Sequence, residues 1–207
     1  SETLAKWRAE TAPLMTSGSM PIRPERICQE ITDFLPEDGV LVADTGHAAI
    51  WTGTYVGLKR RGQRYIRCSG TLGWAFPASI GVKAALPDRP VLCFTGDGGL
   101  CYHLAELETA ARAGINVVVL VNNNGALQQV RHGIDAAYGG TQRGRAGEMW
   151  VFRQGISYAR IAEEMGCLGI SVEHPDEIRP ALERAFAAGR PALIDVTSDV
   201  DALPPIW

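Results

Sequence analysis

Short apolar runs without polar interruption constrain this chain more than any other feature. Residues 40–44, 91–95 and 116–121 are dominated by valine, leucine and phenylalanine and do not alternate with polar positions. Such runs are too brief for buried helices and read as strands covered on both faces, the mark of a parallel sheet between helical layers. The intervening segments supply those helices. Pro24-Glu25 suits a helix start, and Ile27, Ile31, Phe34 and Leu35 make one apolar face. Leu100, Leu104, Leu107 and Ala111 predict a single helix ending at Gly114. Residues 157–165 and 176–188 read as helices, 167–172 and 192–196 as strands, and 64–67 as a weaker strand. The expected fold class is α/β: about six parallel strands with helices on both faces. Residues 1–22 show little periodicity and two prolines, Pro13 and Pro21, and read as an N-terminal tail or linker; residues 23–207 read as the domain.

A length of 207 residues allows one sizeable domain. Twenty basic against twenty-three acidic residues give a net charge of −3, which argues against a nucleic-acid partner. No apolar stretch is long enough to span a bilayer, and the first residues lack the apolar core of a secretory signal, so no membrane partner is expected. The five cysteines, at 28, 68, 93, 101 and 167, form no C-x-x-C pair and read as buried small hydrophobes in a reduced, cytoplasmic protein.

Ligands of open parallel sheets bind beyond the carboxyl ends of the strands. Three loops there have unusual chemistry: Asp44-Thr45-Gly46-His47, Gly96-Asp97-Gly98-Gly99 and Asn122-Asn123-Asn124-Gly125. Asp97 and Asn124 follow successive strands, so a carboxylate and an amide oxygen converge if those strands are neighbours. Both are hard oxygen donors, suited to Mg²⁺ or Ca²⁺ rather than zinc. A helix beginning beside the glycines adds unpaired amides, and a helix start with a divalent cation describes a diphosphate site.

Gly96-Asp97-Gly98, twenty-four intervening residues and Asn123-Asn124 resemble the thiamine diphosphate motif. The segment Gly70-Thr71-Leu72-Gly73-Trp74-Ala75-Phe76-Pro77 is similar to the one preceding that motif in acetolactate synthases and related 2-oxo acid decarboxylases. Asp44-Thr45-Gly46-His47 stands where that family has its first diphosphate loop, and the likeness spans residues 23–200. The resemblance implies the C-terminal, diphosphate-binding domain of such an enzyme, with thiamine diphosphate and Mg²⁺ as cofactors. It implies Asp97 and Asn124 as side-chain ligands of Mg²⁺ and Ala126 as a carbonyl ligand. It implies Gly46, His47, Ala48, Gly98, Gly99 and Leu127 at the diphosphate, the backbone of Gly70 and Leu72 at the aminopyrimidine, and the Leu72 side chain beneath the thiazolium. A cofactor bent over Leu72 brings its own amine to the thiazolium carbon, which is proximity catalysis. The family's activating glutamate belongs to a pyrimidine-binding domain that is not assignable here. No catalytic residue is therefore assigned on this chain, which reads as either a naturally separate subunit or a fragment of a longer enzyme, and a separate pyrimidine-domain partner, in a heterodimer or α2β2 assembly, is expected to complete the site for a small 2-oxo acid substrate.

Two positions depart from the acetolactate synthase pattern. His47-Ala48 replaces Gln-His, and Gly133 stands where a tryptophan selects the acceptor. Residues 131–152 read as a mobile loop over the cofactor, with Arg131, His132, Arg143 and Arg145 as candidate contacts to an anionic substrate. His47 reads equally as a phosphate contact or a helix-capping residue; His103 and His174 read as surface residues, Trp51 and Tyr102 as interface or core. The rival functions are a non-catalytic scaffold or regulator of the same fold, and a dinucleotide-dependent oxidoreductase. The second is disfavoured because Cys101 occupies the last glycine position of G-x-G-x-x-G.

Overall fold

The computed structural model describes residues 2–139 and 149–205. Six strands form one sheet: β1 (Val40–Ala43), β2 (Arg64–Arg67), β3 (Val91–Gly96), β4 (Val118–Asn123), β5 (Leu168–Val172) and β6 (Ala192–Thr197). They lie in the order β2-β1-β3-β4-β6-β5, and every pairing is parallel. Alternate side chains of the same strands feed two separate cores. Leu92, Phe94, Leu120 and Ile194 pack on one side with Ile27, Ile31 and Leu182; Val91, Cys93, Val119 and Leu193 pack on the other with Phe76, Leu100 and Leu107. The uninterrupted apolar runs are thus explained by burial on both faces.

The helices are α1 (Glu2–Met15), α2 (Pro24–Phe34), α3 (His47–Tyr55), α4 (Ala75–Ala85), α5 (Asp97–Tyr102), α6 (Glu106–Ala113), α7 (Gln128–Tyr138), α8 (Tyr158–Glu164) and α9 (Ile178–Ala187). The segment read as tail or linker carries α1, whose Trp7 ring stacks on Tyr55 at 5.8 Å and whose Met15 packs against the same cluster. Two expectations are corrected here. The single helix after Asp97 is two, broken at His103 (φ −135°), where the chain turns so that Leu100 and Leu107 both reach the same core. The start of the expected mobile loop, residues 131–138, is instead helix α7.

Chain direction decides where a ligand can enter. From β1 the chain runs outward to β2, whereas from β3 it runs the opposite way to β4. The loops leaving β1 and β3 therefore part company, and the crevice between their carboxyl ends is the switch point of the sheet.

Candidate cofactor site

A cleft of about 280 Å³ opens at that switch point. It is lined by Gly46, His47 and Ala48 from the loop after β1 and the start of α3, and by Gly70 and Leu72 from the loop after β2. Asp97, Gly98 and Gly99 come from the start of α5, and Asn122, Asn124, Ala126 and Leu127 from the end of β4 and the turn beyond it. Every residue that the resemblance implies at cofactor or cation lines this one cleft. Gln128, Gln129 and Val130 line it too, although the sequence reading passed over them.

Asp97 is 2% exposed. Its Oδ1 accepts the Gly98 amide at 2.8 Å and its Oδ2 accepts the Gly125 amide at 2.7 Å. Burial pushes the carboxyl up to about 6, although these amide bonds pull the other way. The group is thus held in place yet short of positive charge, so a cation beside it would favour the ionised form. Asn124 Oδ1 accepts the Ala126 amide at 3.1 Å, while its Nδ2 donates to Gln128 Oε1 at 3.0 Å. Asn122 Oδ1 is buried with no hydrogen-bond partner. Asn122 is a residue the sequence reading left without a role, because a run of three asparagines does not reveal which one faces inward.

The loops are fixed by a second carboxylate. Asp44 Oδ1 accepts the amides of Thr45 at 2.8 Å and Gly73 at 3.0 Å, and its Oδ2 accepts the Thr95 hydroxyl at 2.9 Å. One side chain ties the end of β1 to β3 and to the loop carrying Leu72. Burial raises the Asp44 carboxyl above its usual range, against these three hydrogen bonds. Gly46 has φ +70°, a conformation open to glycine, and it turns the chain into α3. At Gly98 an added Cβ would lie 2.6 Å from Leu127 Cδ2 and 3.3 Å from Phe152 Cζ, so only a glycine leaves room for these two side chains. Phe152 belongs to a strap running antiparallel to residues 125–127: Leu127 N–H donates to the Trp150 carbonyl and Phe152 N–H to the Gly125 carbonyl, both at 2.8 Å.

Other expectations fare differently. His47 is buried at the start of α3, hydrogen-bonded to Gln128, with its ring 5.2 Å from that of His132. Burial lowers both histidines. His132 is 8% exposed. Arg131 pairs with Asp201 at 2.7 Å and Asp135 at 3.7 Å. Arg143 and Arg145 lie outside the described residues. His103, His174 and Tyr102 are exposed and Trp51 is core. Cys28, Cys93 and Cys167 are buried, but Cys68 is half-buried and Cys101 exposed, which corrects the reading of all five as buried hydrophobes.

The donor set fits a magnesium diphosphate. Among the described residues no cluster of three His, Cys, Asp or Glu side chains exists that could hold a metal alone. One buried carboxylate, one amide oxygen and a backbone carbonyl leave coordination places open. Mg²⁺ is characteristically held by few carboxylates together with a ligand's phosphates.

Residues 44–196 match the family model described as thiamine pyrophosphate enzyme, C-terminal TPP binding domain. The chain is similar to a probable acetolactate synthase large subunit of Methanococcus aeolicus, 29% identical over 213 residues, covering 96% of this chain and 34% of the relative. It is similarly 29% identical to the acetolactate synthase isozyme 3 large subunit of Escherichia coli K12, with 96% of this chain and 34% of that protein covered. Among solved structures, the thiamine diphosphate-dependent 4-hydroxybenzoylformate decarboxylase of Rhodococcus jostii RHA1 superposes with a TM-score of 0.77 and 28% identity, over 90% of this chain and 34% of that one. The chain therefore spans about a third of the length of these relatives. Matched over most of its length and folded alike, it belongs to the thiamine pyrophosphate enzymes and corresponds to their C-terminal TPP-binding domain.

Proposed function

We propose that this chain is the diphosphate- and Mg²⁺-binding half of an enzyme that decarboxylates a 2-oxo acid, with carboligation as a further outcome, and that a separate pyrimidine-binding domain completes the site. The observation that carries the proposal is the convergence of Asp97, Asn124 and Ala126 in the same cleft as Gly46, Gly98 and Leu72. Asp97, Asn124 and the Ala126 carbonyl would hold the cation. The backbone at Gly46, Ala48, Gly98 and Gly99, with His47 and Leu127, would receive the diphosphate. The side chain of Leu72 would wedge the bound cofactor into its bent form, while Gly70 and Leu72 present backbone groups to the ring above. Thiamine diphosphate bound there supplies an electron sink for the pair released when the 2-oxo acid loses CO₂. What this chain itself contributes is orientation, through Asp44 and the Asn122–Asn124 turn.

Residues 23–207 would form the binding domain, with residues 1–22 as its connection. The free thiols among the described residues suit a cytoplasmic setting. Among those residues no helix is long and apolar enough to cross a membrane.

Thermal denaturation with thiamine diphosphate and Mg²⁺ tests the reading. A ligand at a hundred times its Kd stabilises the folded state by about 2.7 kcal/mol. The wild-type midpoint should rise only when both components are present, and Asp97→Ala and Asn124→Ala should abolish the rise. A midpoint that ignores the ligands, or a rise that survives in Asp97→Ala, removes the assignment.

A further inference from the structure

Gln128 is 4% exposed at the first turn of α7 and sits between the Asn124 amide and the chain that follows β6. Its Nε2 donates to the carbonyls of Val200 at 2.8 Å, Ala202 at 3.0 Å and Asp199 at 3.4 Å. Carbonyl oxygens only accept, so three of them facing one end of the glutamine decide which end is nitrogen. The other end must be oxygen, and Oε1 can only accept. It accepts Asn124 Nδ2 at 3.0 Å and the hydrogen bond that favours the protonated form of His47. Asn124 in turn must place its nitrogen toward Gln128, and its oxygen falls on the opposite side, where it also receives the Ala126 amide.

We infer that Gln128 is a positioning residue: a polarity relay from the 199–202 carbonyls through Gln128 sets the Asn124 amide so that its oxygen, not its nitrogen, is offered to the cation. The inference rests on the cation site proposed above. An asparagine has two ends of nearly equal shape, and only one binds Mg²⁺. The Ala126 amide anchors one end, since a flipped amide would set nitrogen against that N–H donor; the relay adds a second cost at the other end, where the flipped Asn124 oxygen would face the Gln128 Oε1 acceptor.

The test is a double-mutant cycle read by Mn²⁺ binding, as Mg²⁺ surrogate, by electron paramagnetic resonance in the presence of thiamine diphosphate. It requires no turnover. Gln128→Leu should lower Mn²⁺ affinity about tenfold, with binding recovered at higher Mn²⁺. In an Asn124→Asp background both ends of residue 124 are oxygen, so the relay has nothing to decide. Adding Gln128→Leu there should leave affinity unchanged or raise it, because it removes the repulsion between Oε1 and the new carboxylate. An unchanged affinity in the first case, or an equal loss in both backgrounds, overturns the relay. Asp97→Ala separates the two levels of the argument. If it leaves Mn²⁺ binding intact, the cation site is wrong and the relay falls with it. If it abolishes binding while the cycle shows no coupling, only the relay is wrong. Should Gln128→Leu fail to fold, neutron diffraction of the wild type in D₂O decides the point. Deuterons on the Asn124 atom facing Gln128 support the relay, and deuterons on the atom facing the cleft overturn it.

Discussion

A Cβ on Gly99 would lie 2.6 Å from Thr95 Oγ1 and 2.7 Å from Asp44 Oδ2. The sequence suggests that this glycine lets a ligand approach the backbone, yet protein atoms already fill the space where a side chain would go. Gly99→Ala should therefore destabilise the protein by about 1–3 kcal/mol, as overpacking does in tight interiors. Urea denaturation without ligand would measure it, and a wild-type midpoint would show that the Asp44 cluster yields freely. His47 carries a different prediction. Burial lowers it from 6.5 to about 4. Between those values the unfolded chain binds a proton at this residue and the folded chain does not. Stability from this group is thus whole above about 6.5 and is lost as pH falls towards 4, by on the order of 3 kcal/mol in all. His132 is shifted in the same direction. The difference in unfolding free energy between pH 7.5 and pH 5 should narrow in His47→Gln, and an undiminished difference would contradict the assignment. At this scale, Asp97 and Asn124 announce themselves by spacing, whereas Gly46 and Leu72 are singled out only by the family resemblance. Gln128 was not legible, because a glutamine acquires its role only from the carbonyls of residues 199–202, more than seventy positions away.

Elements were legible in proportion to how apolar their buried face is. Strand β2, with only Tyr65 and Ile66 partly buried against the two cores, reads as the weaker strand, while strands β1, β3, β4, β5 and β6 and helices α2, α8 and α9 follow from runs or faces that sit in one of those cores. Helix α7 does not, because the residues it buries are Gln128 and His132, one turn apart and both polar. A search for an apolar stripe passes over such a helix. Helix α3 fails for the opposite reason: His47, Ala48, Ala49, Trp51, Thr52 and Tyr55 are all buried, so no side stands out. The joint between β4, β6 and α8 is equally silent in the sequence. Asp195 Oδ1 accepts Asn123 Nδ2 at 2.9 Å, and its Oδ2 accepts the Tyr158 amide at 2.8 Å and the Ala159 amide at 3.4 Å. It thereby fastens the start of α8, and the strap before it, to the strand that delivers the asparagines. Asp195→Ala leaves those donors without their acceptor and should cost about 2–4 kcal/mol. Hydrogen exchange should accelerate first at the amides of Tyr158 and Ala159 and in the strap at Leu127 and Phe152. Acceleration spread evenly over the sheet would mean that Asp195 serves general stability and not this joint.

At the scale of the molecule, the cleft is bordered by apolar side chains that the chain itself does not cover. Tyr102 at the end of α5 is 65% exposed, Met149 80%, and Val130 and Val151 both 48%. Val130 lines the cleft, Tyr102 packs against Gly73 beside Leu72, and Val151 is bridged to Ala126. Apolar groups gathered around a polar pocket suit a surface that is buried in a working assembly. The chain spans about a third of its relatives' length, which leaves room in them for the domain that would lie here. The activating carboxylate implied by the family resemblance would come from that domain. The isolated chain should therefore bind thiamine diphosphate with Mg²⁺ yet show no CO₂ release from any 2-oxo acid. Mixing it with a separately expressed pyrimidine-binding domain should restore turnover and protect Tyr102, Val130 and Val151 from exchange together. Replacing Tyr102 with Asp should weaken that complementation while leaving Mn²⁺ binding by this chain unchanged, since Tyr102 touches no group proposed to hold the cation. Turnover by the chain alone would show that the half-site description is wrong, because the carboxylate assigned to the partner would then have to lie among its own residues.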